Sequence, residues 1–246
     1  MRYNETGLER VPGLFFMCGF SRSVISVTLV PMPSSLYFTL VIVSFLASLT
    51  AYFQKDAQRY LRLFPVFLLM TIVVEIFATW LYRYGKSTTV LYNFFSSFEF
   101  LFYIYILREI IQSRTAKKVI FHAGWAYILF IVLNFLFIQK IVSFTSLTYA
   151  LGCLLIGIIC IYYFFELFQS KQSVNLVRHP SFWICSALLF YYCCSFPIFG
   201  LLNFLKQAPS IIRKNINDIV MLLNVFLYSS FTIAFLCRIR VRNSTS

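Results

Sequence analysis

Charged side chains are scarce in this sequence. They make up 12% of its 246 residues, against about a quarter in ordinary soluble domains, which is too few to cover a water-facing surface. Histidine occurs twice. Neither His122 nor His179 has a second His, Cys or carboxylate at ligand spacing, so no metal is expected. The chain contains no HExxH, GxSxG or GxxxxGKS/T motif and no nucleophile beside a base, which leaves catalysis without a recognisable centre. It has no CxxC pair either. No cofactor is expected, and an enzyme is the class with least support.

What the chain has instead is hydrophobic length. Hydrophobic residues make up 60% and aromatics 20%, with 30 Phe and 16 Tyr. Seven apolar runs, at approximately 35–53, 62–82, 89–111, 119–138, 141–168, 181–205 and 215–237, each approach the ~20 residues that a helix needs to cross a bilayer. Lipid leaves backbone groups no partner outside their own helix or a closed barrel, and runs this continuously apolar do not alternate as barrel strands do. The expected fold is therefore all-α: a polytopic membrane protein built as a seven-transmembrane-helix bundle over 35–238, followed by a basic tail at 239–246. Helices four and five, separated by little more than Gln139 and Lys140, are expected to form an antiparallel hairpin.

Residues 1–34 stand apart. The apolar run Val11–Phe20 is too short to span, and Pro12, Gly13, Arg22 and Pro31 interrupt its surroundings. This segment reads as an extension outside the bundle, with Met32 as an alternative start. Six of the seven cysteines lie in apolar runs, where cysteine acts as a small hydrophobe, and the adjacent Cys193 and Cys194 read the same way.

The net charge of +13 does not point to nucleic acid, because the basic residues sit in the gaps between apolar runs. One side gathers Lys55, Arg59, Arg62, Arg108, Arg114, Lys117, Lys118, Lys171, Arg178, Arg238, Arg240 and Arg242. The other holds Arg83, Lys86, Lys140, Lys206, Arg213 and Lys214, besides the N-terminal residues. The positive-inside rule then puts the C-terminus in the cytoplasm and the N-terminus outside.

Ionisable residues within a span are costly and so are candidate sites. Glu75 lies in helix two and Glu99 in helix three, each roughly 18–20 Å above the inner face by helical rise. On helix three, Tyr92, Ser96, Glu99 and Tyr103 share one face; on helix seven, Asn217, Met221, Asn224 and Tyr228 repeat that spacing. Asn134 of helix four and Tyr192 of helix six fall near the same depth, and Tyr191 adjoins the latter. No Lys or Arg occupies the middle of any span, so a proton or a cationic ligand is the natural counter-charge. Interhelical packing uses Asn, Ser and Tyr as well, and gives these positions an ordinary structural role. Toward the ends, Glu166, Glu109 and Arg108 are placed to snorkel, Asp218 to favour a helix start, Pro197 to kink helix six, and Ser44, Ala47, Ser48 and Ala51 to pack.

Retinal proteins also have seven helices, but their Schiff-base lysine has no counterpart between Asn215 and Cys237. The stretches HPSFWICSALLFYYCCSFPIFGLLN at 179–203 and NDIVMLLNVFLYSSFTIAFLCRIR at 217–240 resemble uncharacterised seven-helix membrane proteins of Bacteroidota, some related to the membrane input regions of sensor histidine kinases. Phe182–Tyr191 carries most of that likeness, and Glu75 is a second point. The expected function is a bacterial inner-membrane, receptor-like module in which one polar cavity between helices two, three, six and seven binds a small ligand or proton at Glu75 and Glu99. The resemblance implies that any signalling output needs a separate partner, since the chain has no phospho-acceptor helix or ATP-binding domain. A small transporter or channel using the same carboxylates, and a structural subunit of a membrane complex, are the alternatives. The topology is checked by reporter fusion: a C-terminal reporter should be active only in the cytoplasm, and activity outside it overturns the orientation.

Overall fold

The computed structural model describes residues 34–52, 58–138, 144–169, 179–200 and 210–243. Among them lie seven helices and no strand: α1 (Ser34–Leu49), α2 (Arg59–Arg83), α3 (Thr89–Ile110), α4 (Arg114–Leu133), α5 (Ser146–Gln169), α6 (Pro180–Gly200) and α7 (Ser210–Asn243). Six are long and apolar enough to cross a membrane, whereas the apolar part of α1, Leu36–Leu49, is shorter. The protein is an all-α polytopic membrane bundle. The extension before residue 34 with its alternative start, Cys18, and the last residues of the basic tail lie outside the described residues.

Local chemistry sets the helix ends. After α2 the chain turns at Gly85, whose φ of 70° suits a residue without Cβ. There the Gly85 N–H donates to Tyr82 O at 2.8 Å and the Lys86 N–H to Leu81 O at 3.0 Å. That double closure is a Schellman motif, which satisfies carbonyls the helix end would otherwise orphan. Between α3 and α4 the chain breaks at Ile111 with extended backbone. Ser113 then caps α4, its Oγ accepting from the Ala116 N–H at 3.4 Å. This cap starts α4 at Arg114, before the apolar run expected from 119. The helix closes in a π-turn over Asn134–Ile138, so its full length matches the span.

Two expectations change with these boundaries. Since α7 begins at Ser210, Asp218 lies two turns inside the helix, beyond the reach of the N-terminal partial charge. At 34 residues α7 rises about 50 Å, well past a hydrocarbon core of about 30 Å. Helix α6 runs on through Pro197 to Gly200. A second intrahelical proline, Pro65, is buried in α2.

The helices pack mainly as α5 on α6, α6 on α7, α7 on α1, α1 on α2, and α3 on α5. The expected α4–α5 hairpin is a light contact; α4 leans on α3 and buries little more than Ile120, Tyr127 and Ile131 along one seam. Small residues permit the close approaches. Ser44, Ala47 and Ser48 are buried on α1, and Ala51 in the turn that follows it. On α5, a Cβ added at Gly157 would stand 3.6 Å from Cys193 Sγ of α6. Described cysteines are free thiols, buried at 153, 160 and 185 and exposed at 193.

Gly152 is the tightest of these positions. A Cβ there would lie 2.6–2.8 Å from three ring carbons of Phe100, closer than real contacts allow. Phe100 cannot easily back away, because Tyr149, Tyr192 and Tyr127 surround it at centroid distances of 5.0, 5.2 and 6.0 Å. Gly152→Ala is therefore expected to cost about 1–3 kcal/mol by overpacking and to lower the thermal midpoint in micelles. Adding Phe100→Leu should recover part of the loss, and an unchanged midpoint in Gly152→Ala alone would contradict this packing.

Candidate functional site

Glu75 projects from α2 into the bundle, where only 3% of it remains exposed. Two phenols from two other helices meet its carboxyl group. Tyr37 of α1 donates to Oε1 at 3.2 Å, and Tyr92 of α3 donates to Oε2 at 3.4 Å. Both contacts exceed the ~2.5–2.7 Å of a tight hydroxyl–carboxylate bond.

Glu99 lies on α3, 4% exposed. Tyr192 of α6 donates to its Oε1 at 3.2 Å. One turn along α3, the Tyr103 hydroxyl stands close to the same carboxyl, buried and without a hydrogen bond of good geometry. The two carboxyl groups project from consecutive helices, α2 and α3, which pack on one another. Their hydroxyl donors are nevertheless separate, so they form two adjoining centres rather than one shared cradle.

Aromatic rings bridge the two centres. Tyr228 of α7 sits edge-on to Tyr37 at 5.6 Å. Phe231, one turn further, contacts Tyr228 at 6.1 Å and Tyr103 at 6.3 Å. Tyr103 in turn meets Tyr192 at 5.9 Å, and Tyr191 meets Tyr192 at 5.0 Å. The rings meet edge-on or tilted, as their quadrupoles favour, and lie between α1, α3, α6 and α7.

Of the residues singled out in the sequence, Tyr92 serves Glu75, Tyr103 and Tyr192 stand at Glu99, and Tyr228 lies between. Three others are engaged elsewhere. Ser96 donates to the Asn93 carbonyl of its own helix at 3.2 Å, and Asn224 to the Val220 carbonyl of its own helix at 3.0 Å. The amide of Asn134 donates across to Thr148 of α5. The Asn217 side chain lies outside the described residues.

Several participants had not been singled out. Tyr37 sits in the first turn of α1, where tyrosine usually reads as an interfacial anchor. Its phase with Ser44 and Ser48, seven and eleven residues on, is the pattern that marks it as inward-facing. Tyr149 of α5 joins through Phe100 and Phe199. Asn93 is fully buried, its Oδ1 accepting from the Thr145 N–H and hydroxyl at 3.3 Å each, which ties α3 to the start of α5.

The end residues also depart from expectation. Glu166 has partners within the protein. Its carboxylate reaches the elbow between α3 and α4, accepting from the backbone N–H of Gln112 at 2.9 Å and of Ser113 at 2.7 Å. Arg108 and Glu109 pair with each other at 3.5 Å.

No protein-family model, no curated protein and no solved structure matches this chain.

The two-centre geometry sets a pattern of couplings. In double-mutant cycles read by thermal unfolding, Tyr192→Phe should couple to Glu99→Gln, and Tyr37→Phe to Glu75→Gln. Each coupling should be about 0.5–1.5 kcal/mol, the net worth of one hydrogen bond. Tyr37 coupling to Glu99 as strongly as to Glu75 would refute two centres.

Proposed function

We propose that this protein is a proton-responsive, receptor-like module of a bacterial inner membrane, with Glu75 and Glu99 as its proton sites. One observation carries the reading: the carboxyls of α2 and α3 are held by hydroxyls from α1, α3 and α6. A change of charge at either residue is therefore felt by several helices at once.

An anionic carboxyl in the interior is expensive unless a counter-charge attends it. No lysine or arginine occupies the middle of these helices. The surrounding rings are in contact with one another, and a proton is the counter-charge that needs no room among them. On losing the proton, each carboxyl becomes a stronger acceptor, and its tyrosine donors contract toward it from 3.2–3.4 Å. Regaining it releases them. The ties among α1, α2, α3 and α6 thus tighten and slacken with charge, giving the bundle two arrangements that pH biases. The resemblance at Phe182–Tyr191 to membrane input regions of sensor kinases supports a signalling output. That output would pass to a separate partner at the basic cytoplasmic ends, without catalysis by this chain.

Infrared difference spectra after a pH jump in reconstituted membranes test the reading. Carboxyl C=O bands are expected together with an amide change, one band lost in Glu75→Gln and another in Glu99→Gln. Absence of any carboxyl band across the physiological pH range overturns the proposal. Steady proton or solute flux that depends on Glu99 would replace it with transport, and full tolerance of both substitutions with a stoichiometric partner would replace it with a structural subunit.

A further inference from the structure

Helix α4 is the least covered of the long helices, and its open face is graded by chemistry. Arg114 and Lys118 are exposed in its first turns, with Lys117 partly so. Phe121, Trp125 and Leu129 follow on the same side and are 47%, 58% and 61% exposed. Positions 114, 118, 121, 125 and 129 recur at helical spacing, so one stripe passes from cationic through aromatic to aliphatic. This is the order in which a bilayer presents headgroup, interface and acyl chain.

The neighbouring end of α3 adds to the cationic end. The Arg108 guanidinium lies 5.2 Å from the Phe121 ring centroid, in cation–π geometry. Its ion pair with Glu109 is a loose 3.5 Å contact through one nitrogen, and its Nε–H has no hydrogen-bond partner. Phe121 in turn meets Trp125 edge-on at 6.2 Å. The other acidic group of the elbow, Glu166, is occupied by the backbone N–H groups of Gln112 and Ser113. Glu166 keeps its own negative charge there, but among the described residues no carboxylate forms an ion pair with Arg114, Lys117 or Lys118, so these three cations outnumber it at the elbow.

We infer that the α3–α4 elbow is a binding site for an anionic phospholipid, with Arg114, Lys117 and Lys118 on the headgroup phosphate and Phe121 and Trp125 along the upper acyl chain. The lipid, rather than a soluble phosphate, is the occupant because the cationic cluster opens directly onto an apolar face that only a chain can cover. Glu166 holds the backbone N–H groups of Gln112 and Ser113 just before the helix, so the phosphate is assigned to the three basic side chains. Arg108 braces Phe121 and adds to the local field.

The test uses the full chain in phosphatidylcholine vesicles, with Trp80→Phe and Trp183→Phe leaving Trp125 as the sole tryptophan. Brominated phosphatidylglycerol should quench Trp125 more than brominated phosphatidylcholine at equal mole fraction, and added salt should shrink the difference. Each neutralised basic residue is expected to lower the preference about fivefold. Arg114→Gln, Lys117→Gln and Lys118→Gln together should thus abolish it, whereas Arg83→Gln with Lys86→Gln at the opposite end of the bundle should not. Circular dichroism of each variant checks that the helices persist. Equal quenching by the two lipids in the otherwise unaltered protein overturns the inference. Displacement of the brominated lipid by free glycerol phosphate would assign the cluster to a soluble anion and overturn it equally.

Discussion

Hydrocarbon supplies no hydrogen bonds, and nearly everything in this bundle answers to that constraint. Backbone groups are satisfied within helices, and where helices end the chain finds local substitutes. Gly85 and Lys86 close α2 on its own carbonyls. Ser113 and Glu166 take up the amides at the start of α4. Polar side chains follow the same rule: buried Thr71 and half-buried Thr79 bond to carbonyls one turn back, and buried Asn93 and Asn134 reach across to α5 and the residues leading into it. Against this background the two carboxyls are distinctive, because their hydroxyl donors come largely from other helices.

Those donors make the bundle's polar layer a matter of helix–helix geometry. Glu75 has its ties in α1 and α3, and Glu99 in α6, with α7 inserted between through Tyr228 and Phe231. The close approach at Gly152 fixes Phe100, and Phe100 bears on Tyr192, the donor to Glu99. A methyl group added on α5 is thus transmitted to a carboxyl on α3 through one ring. Peripheral α4 joins this chain of contacts only through Tyr127, which meets Phe100, and its outer face is left available to lipid.

Much of the architecture was legible in the sequence because apolar length alone dictates it. The number of helices and their approximate bounds follow from runs of about 20 apolar residues. The burial of Glu75 and Glu99 followed from their place within those runs. Pairings were less legible. Tyr92 and Glu99 share a face of α3, yet Tyr92 turns to Glu75 on the neighbouring helix. Ser96, on that face too, bonds to its own backbone. Tyr37 and Glu166 lie near helix ends, where aromatic and charged residues ordinarily meet the interface, and both instead bond within the protein.

The sequence by itself determined that this protein crosses a membrane as a helical bundle and carries two acidic groups inside it. Bilayer thickness and the cost of burying charge are properties that local composition meets or fails. Only the tertiary structure decided that the two acids form adjoining centres, each with its own tyrosines, and that α4 lies at the periphery. The reason is rotational: spacing gives the faces of a helix, but which face meets which neighbour depends on how every helix turns against the others. In a chain so uniformly apolar, the small residues at 152 and 157 and the ring contacts around Phe100 set much of that rotation.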